Sequence, residues 1–239
     1  MRPAIVTVLA AMSCTVLAQD AAELPSGQEV LERYIHTLGG REALGRVTSR
    51  VAVGTVESPT FGSFGRYGEF VGLPGRLLRA YQVANYGVVQ QCFDGRVGWM
   101  ETPEYGVEEL TGERLAEVRR DAEFEDPLKL EGLYSRLTVA ERTRLEESAV
   151  FRVVATCRDG AVETLFFAVE SGLLVCRESP ETARDGASRL VRTYYEDYRD
   201  AGGIQAARVV RYVSDDLIRI VRRNVTINAP IAETRFRKP

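Results

Sequence analysis

Hydrophobic and polar positions change their period twice along this chain. From Ser26 to Gly40 the apolar residues Val30, Leu31, Tyr34, Ile35 and Leu38 recur at helical spacing. Ser26-Gly27-Gln28-Glu29 has the form of a capping box and Gly39-Gly40 that of a stop, so a first helix is predicted there. A short second turn is expected at 41–44. From Val47 the pattern becomes short runs rich in Val, Phe, Tyr and Thr, separated by turn residues. These predict strands near 47–57, 63–71, 76–84, 88–93 and 97–102, with turns at Ser58-Pro59, Leu73-Pro74-Gly75, Asn85-Tyr86-Gly87 and Asp94-Gly95. Helical spacing returns at 111–134. Thr111 suits an N-cap, Leu110 and Leu115 a hydrophobic staple, and Leu115, Val118 and Ala122 share a face; Pro127 opens a further short helix through Leu128, Leu130 and Leu133. Strands are then predicted near 136–145, 149–157, 161–169, 173–180, 187–199, 206–213 and 217–228, joined by hairpin turns such as Asp159-Gly160, Ser171-Gly172 and Asp215-Asp216.

This layout specifies a mainly β (α+β) fold of about 11–12 antiparallel strands. A sheet so large must curl, close or be covered on its apolar face. The two helical segments supply a cover, so the expectation is a curved antiparallel sheet or incomplete β-barrel with helices covering the concave face.

The first 18 residues read as a cleavable secretory signal: Arg2, an apolar run from Pro3 to Leu17, and small residues at Val16-Leu17-Ala18 before Gln19. Acylation at Cys14 is the alternative, which would leave the protein lipid-anchored; the apolar run continues past Cys14 where a polar tether would be expected. Residues 19–239 are read as one domain, with no repeat or linker dividing them. The net charge of −3 becomes −4 once Arg2 is removed, and no basic stretch is interleaved with aromatics, which argues against nucleic acid as a partner. Charge is nonetheless uneven: residues 101–131 hold eleven acidic and four basic side chains, and residues 201–239 eight basic and three acidic. Strand arginines such as Arg219 and Arg223 are read as solvating an outer sheet face.

Candidate chemistry is sparse. Cys92, Cys157 and Cys176 are an odd set at wide spacing, read as small buried hydrophobes with no disulfide framework. In the strand reading Cys157 and Cys176 sit two strands apart, beyond disulfide reach. His36 is the only histidine, so His-based triads and His-rich zinc sites have little to draw on. The acidic run Asp121, Glu123, Glu125, Asp126 lacks a calcium-loop spacing and reads as a solvated helix end. No catalytic residue, metal ligand or cofactor is assigned; carboxylates converging from different strands keep an enzymatic alternative open. Trp99 shares a sheet face with Cys92 and Val88 if the Asp94-Gly95 hairpin has a two- or four-residue loop, and those three are the candidate cavity-lining residues.

Several pieces occur in an order that resembles the LolA/LolB-like superfamily of lipoprotein carriers. They are Leu31-Glu32-Arg33-Tyr34 with Leu38-Gly39-Gly40, Phe93-Asp94-Gly95 with Trp99, and Leu110-Thr111-Gly112-Glu113. Phe167 to Gly172-Leu173-Leu174, Tyr198-Arg199-Asp200 into Gly203-Ile204, and the closing Phe236-Arg237-Lys238-Pro239 complete the series. The resemblance implies an incomplete barrel closed by helices with acyl chains inside, hence a periplasmic monomer that binds a lipid or an acylated lipoprotein. A sensor domain that passes lipid binding to a membrane-protein partner is the alternative.

Overall fold

The computed structural model describes residues 24–58 and 62–239. The signal segment, Cys14 and Pro59 lie outside the described residues. Helix α1 (Gly27–Leu38) is entered through the expected reciprocal cap: the Ser26 hydroxyl accepts from Glu29 N at 3.2 Å and Glu29 Oε2 accepts from Ser26 N at 2.7 Å. A short helix α2 (Gly40–Gly45) follows.

Thirteen strands then form one antiparallel sheet. The first six are β1 (Ser49–Ser58), β2 (Ser63–Gly72), β3 (Arg76–Val83), β4 (Gly87–Phe93), β5 (Gly98–Thr102) and β6 (Gly106–Glu109). After α3 (Gly112–Phe124), a 3-10 turn (Pro127–Lys129) and α4 (Leu130–Leu133) come the other seven. These are β7 (Tyr134–Leu145), β8 (Ser148–Cys157), β9 (Val162–Ala168), β10 (Leu174–Thr182), β11 (Ser188–Asp200), β12 (Gln205–Val213) and β13 (Leu217–Ile227). The curled sheet is not closed into a barrel, as the pattern predicts. Its count exceeds the expected 11–12 by β6, a four-residue edge strand with two glutamates and one β-branched residue, too short and charged to carry a strand signal.

Spatial order is β6-β5-β4-β3-β2-β1-β13-β12-β11-β10-β9-β8-β7. Two meanders therefore meet where β1 pairs with β13, and the chain between β6 and β7 has to cross from one edge of the sheet to the other. That crossing segment is α3 to α4. At the seam a bulge lies at Val53/Gly54, and a Cβ on Gly54 would meet Val221 O at 1.8 Å, so only glycine allows β13 this close.

The helices pack on two apolar clusters of the sheet. Val71, Leu77 and Phe93 pack under Leu110, Val118 and Ala122 of the α3 region. Leu31, Ile35 and Leu38 of α1 pack with Leu130 and Leu133 over Val153, Leu165, Phe167 and Leu174. Gly98 lets α3 approach: a Cβ there would meet Leu115 Cδ1 and Val118 Cγ1, each at 2.8 Å. Thr111 occupies the N-cap position, yet its hydroxyl makes no capping hydrogen bond. The opposite face is covered at β3–β5 by the C-terminal segment, whose 3-10 turn (Glu233–Phe236) buries Phe236 against Leu78, Cys92 and Trp99.

Candidate functional site

Between the two apolar clusters the helix-covered face turns ionic. Inward-facing positions on β1, β2, β3 and β13 place Arg50, Glu69, Arg79 and Arg222 together; β9 and β10 add Glu163 and Arg177, and α3 lowers Asp121 and its C-cap residue Glu125 onto them. Glu69 is completely buried. It accepts from Arg222 Nη2 at 2.8 Å, Arg50 Nη2 at 3.1 Å and the Tyr67 hydroxyl at 2.8 Å, with Arg79 Nε at 3.7 Å. Arg79 forks onto α3, donating to Asp121 Oδ2 and Glu125 Oε1, each at 2.8 Å, and Arg50 also pairs with Glu125. Arg177 donates to Asp121 Oδ1 at 2.9 Å and grips Glu163 with Nε at 2.9 Å and Nη2 at 2.6 Å; Tyr134 donates to the same carboxylate at 2.7 Å. Four arginines and four carboxylates make one continuous, balanced chain that ties α3 to both halves of the sheet.

Burial by itself raises a carboxyl pKa, but here the facing guanidinium groups outweigh it. Glu69 is pushed well below the usual carboxylate range by Arg222, Arg50 and Arg79, and Asp121 is lowered by Arg177 and Arg79. The reading of Asp121–Asp126 as a solvated helix end is thereby corrected. Asp121 and Glu125, one helical turn apart, point into the interior, and Asp126 caps the following 3-10 turn by accepting from Leu128 N at 3.1 Å. Of the acidic stretch 101–131, Asp121 and Glu125 are taken into this network, and of the basic stretch 201–239, Arg222. Of the two arginines assigned to the outer face, Arg219 pairs with Glu57 at 3.3 Å and Arg223 is exposed.

Beside this network lies a cavity of about 80 Å³, bounded by α1, α2, the start of β1 and the loop into β12. Tyr34, Leu38, Leu44, Val71, Leu73 and Ile204 supply its apolar wall; Arg50, Arg222, Gln205, Glu125 and Asp126 its polar one. The volume is about half that of the ~150 Å³ apolar cavity known to admit benzene.

Trp99, Cys92 and Val88 do share a face. Cys92 pairs with Trp99 and Phe93 with Gly98 across a four-residue loop, in which Asp94 Oδ1 accepts from Arg96 N at 2.8 Å and Val97 N at 2.7 Å. That face is the one away from the helices, because its alternate neighbours Leu77 and Phe93 are those packed under α3. Trp99 Nε1 and Cys92 Sγ both donate to Phe236 O, at 3.0 and 3.2 Å, while Val88 is exposed. None of the three borders the cavity. Burial, the basis for choosing Trp99, is real, but its cover is the C-terminal segment. His36 is exposed. Cys157 packs in the α1 cluster, whereas Cys176 lies on the opposite face with Val150 and Phe166, and both are free thiols. Among the described residues no group of three side chains has the arrangement of a metal site, and no helix is long and apolar enough to cross a membrane.

No family model and no curated protein matches this sequence. Solved structures do resemble it. A LolA superfamily protein, NE2245 from Nitrosomonas europaea, superposes with a TM-score of 0.57 at 12% identity over 90% of this chain and 99% of that one. A DUF1329 family protein from Desulfovibrio piger ATCC 29098 gives 0.51 at 8% identity over 90% of this chain and 98% of the other. Identities this low carry the architecture and not the activity. With the open 13-stranded sheet, the helix-covered face and the crossing segment, these likenesses establish that the chain has a LolA-like fold.

Proposed function

We propose that this protein is an exported, periplasmic, non-catalytic carrier that holds the acyl chain of a lipid or lipoprotein between its helices and its sheet, acting as a monomer. The observation that carries the reading is the two-part apolar interior under α1 and α3, with a small cavity already present beside α1. At about 80 Å³ that cavity is far below the ~300–1,000 Å³ of ordinary ligand pockets, so loading requires the helices to move off the sheet. The buried carboxylates support a non-catalytic reading. Glu69 and Asp121 are arginine-paired and pushed down, the wrong direction for a general acid at neutral pH.

Native mass spectrometry of freshly purified protein, followed by displacement titrations with acyl chains of increasing length, tests the proposal. Affinity is expected to rise about fourfold per methylene, from ~0.8 kcal/mol each, until the space is filled. A protein that retains no lipid and shows no dependence on chain length overturns the reading. Trp99 emission is not the reporter to use, because its ring sits on the other face of the sheet.

A further inference from the structure

The hairpin of β10 and β11 runs out past both of its neighbours. β9 pairs with β10 no further than Thr164 against Glu178, and β12 with β11 no further than Val213 against Arg192. Beyond those points Ser179, Pro180, Glu181 and Thr182 pair only with Val191, Leu190, Arg189 and Ser188. Residues 179–191 are therefore a two-stranded arm, closed by a turn in which Ala183 N donates to Ala187 O at 2.8 Å. Pro180 suits such an arm, because proline is tolerated where a strand lacks a neighbour. Glu178 and Arg192, 2.7 Å apart, pin its base.

Two strands alone are marginal in water, so the arm depends on what it touches. Among the described residues, none of 179–191 belongs to a buried apolar cluster. Its fastenings are polar. Arg184 Cζ lies 3.8 Å from the centre of the Tyr105 ring, and Arg184 Nη1 is 3.0 Å from Glu108 Oε2. Thr182 Oγ1 donates to Glu117 Oε1 of α3 at 2.7 Å, and Glu108 Oε1 accepts from Arg114 Nη2 of α3 at 2.7 Å. Arg189 Nη1 stands 3.1 Å from Asp215 Oδ2 in the turn between β12 and β13. Arg184 and Arg189 are 49% and 40% exposed, and ion pairs so exposed are weak and screened by salt.

The arm thus starts in one meander and ends on the edge strand of the other, holding the first half of α3 on the way. The end of α3 is held differently, by Asp121 and Glu125 in the ionic centre, to which the arm contributes no hydrogen bond or ion pair. We infer that residues 179–191 are a strap that opens as a unit about Glu178 and Arg192, freeing the β6 edge and the first half of α3 while the ionic centre stays closed. The motion needs no ligand and does not rest on the carrier reading.

Hydrogen exchange of the native chain without residues 1–18, read by mass spectrometry at low and high salt, tests it. Arm amides should exchange about tenfold or more faster than those of β11 from Thr193 to Asp200. Arg184→Ala should speed the arm about fivefold, the combined worth of an exposed cation–π contact and a surface ion pair. It should also speed the first half of α3 more than the second. High salt should move the wild type the same way, a readout that needs no variant. Arm amides as slow as those of β11, or unmoved by both the substitution and salt, overturn the strap. Equal acceleration of both halves of α3 shows that the arm fastens nothing and overturns it as well.

Discussion

Replacing Glu69 by glutamine removes one charge from the centre of the network and almost no volume. In the native protein that carboxylate faces Arg222 at 2.8 Å, Arg50 at 3.1 Å and Arg79 at 3.7 Å, and nothing else on the sheet takes its place. Three guanidinium groups would then share Glu125 and the half of Asp121 that Arg177 does not use. Breaking a buried pair by removing one partner costs about 3–5 kcal/mol. For a domain of this size that lowers Tm by roughly 6–20 °C, at about 2–4 °C per kcal/mol. Chemical or thermal denaturation of Glu69→Gln beside the wild type measures it, and Glu69→Gln combined with Arg222→Met should recover part of the loss. The pH dependence fixes the sign. Because the folded-state pKa of Glu69 is depressed below 4.5, its stabilisation is full above that value and drains away as pH falls toward the folded-state value. Wild-type stability should therefore decline more steeply below about pH 4.5 than that of Glu69→Gln. A variant within about 1 kcal/mol of wild type, with an unchanged acid limb, refutes the claim that this carboxylate holds the arginines together.

Three further outcomes are expected. Deleting residues 229–239 strips Phe236 from Trp99 and Cys92, so Trp99 emission should shift to the red and Cys92 should become reactive; unchanged fluorescence and labelling would mean the segment does not cover that face. In the native protein without residues 1–18 all three thiols should resist alkylation, since burial pushes Cys92, Cys157 and Cys176 each up to about 12. Denaturation without reductant should then release all three, and recovery of a single thiol would contradict the placement of Cys157 and Cys176 on opposite faces. Gly98→Val forces a side chain into the space of Leu115 and Val118 and should cost about 1–3 kcal/mol by denaturant titration; a neutral substitution would show that α3 is not seated as closely as the 2.8 Å approach indicates.

Most of the architecture is legible in local pattern. The capping box at Ser26, the turns at Asp94-Gly95 and Asp159-Gly160, and twelve of the thirteen strands fall where alternation and turn chemistry put them, because each rests on interactions within a few residues. The pairing of β1 with β13 is different in kind. It joins residues more than 160 positions apart, such as Val51 and Thr226, and no local signal encodes it. The face taken by Trp99 was illegible for a similar reason. Alternation establishes that Trp99 and Cys92 go together, but which side the closing segment covers depends on where Phe236 ends up.

The ionic centre left a trace in the sequence that separate readings of helix and strand pass over. Glu69 shares strand parity with Tyr67 and Val71, and Arg79 with Leu77 and Tyr81, so both charged groups stand on positions that otherwise face a core. Directly opposite charges on neighbouring strands, Glu69 against Arg79, mark an inward pair. Asp121 and Glu125 stand four residues apart beside the apolar stripe of Val118 and Ala122, which places them at the margin of the buried face. These signs become a prediction only once the topology is known. When β6 and β7 are the two edges of a single sheet, the segment between them must pass over its face, and the acids on that segment then meet the arginines beneath it. Closing the interior in this way requires the charges to balance, because any excess would be buried with them.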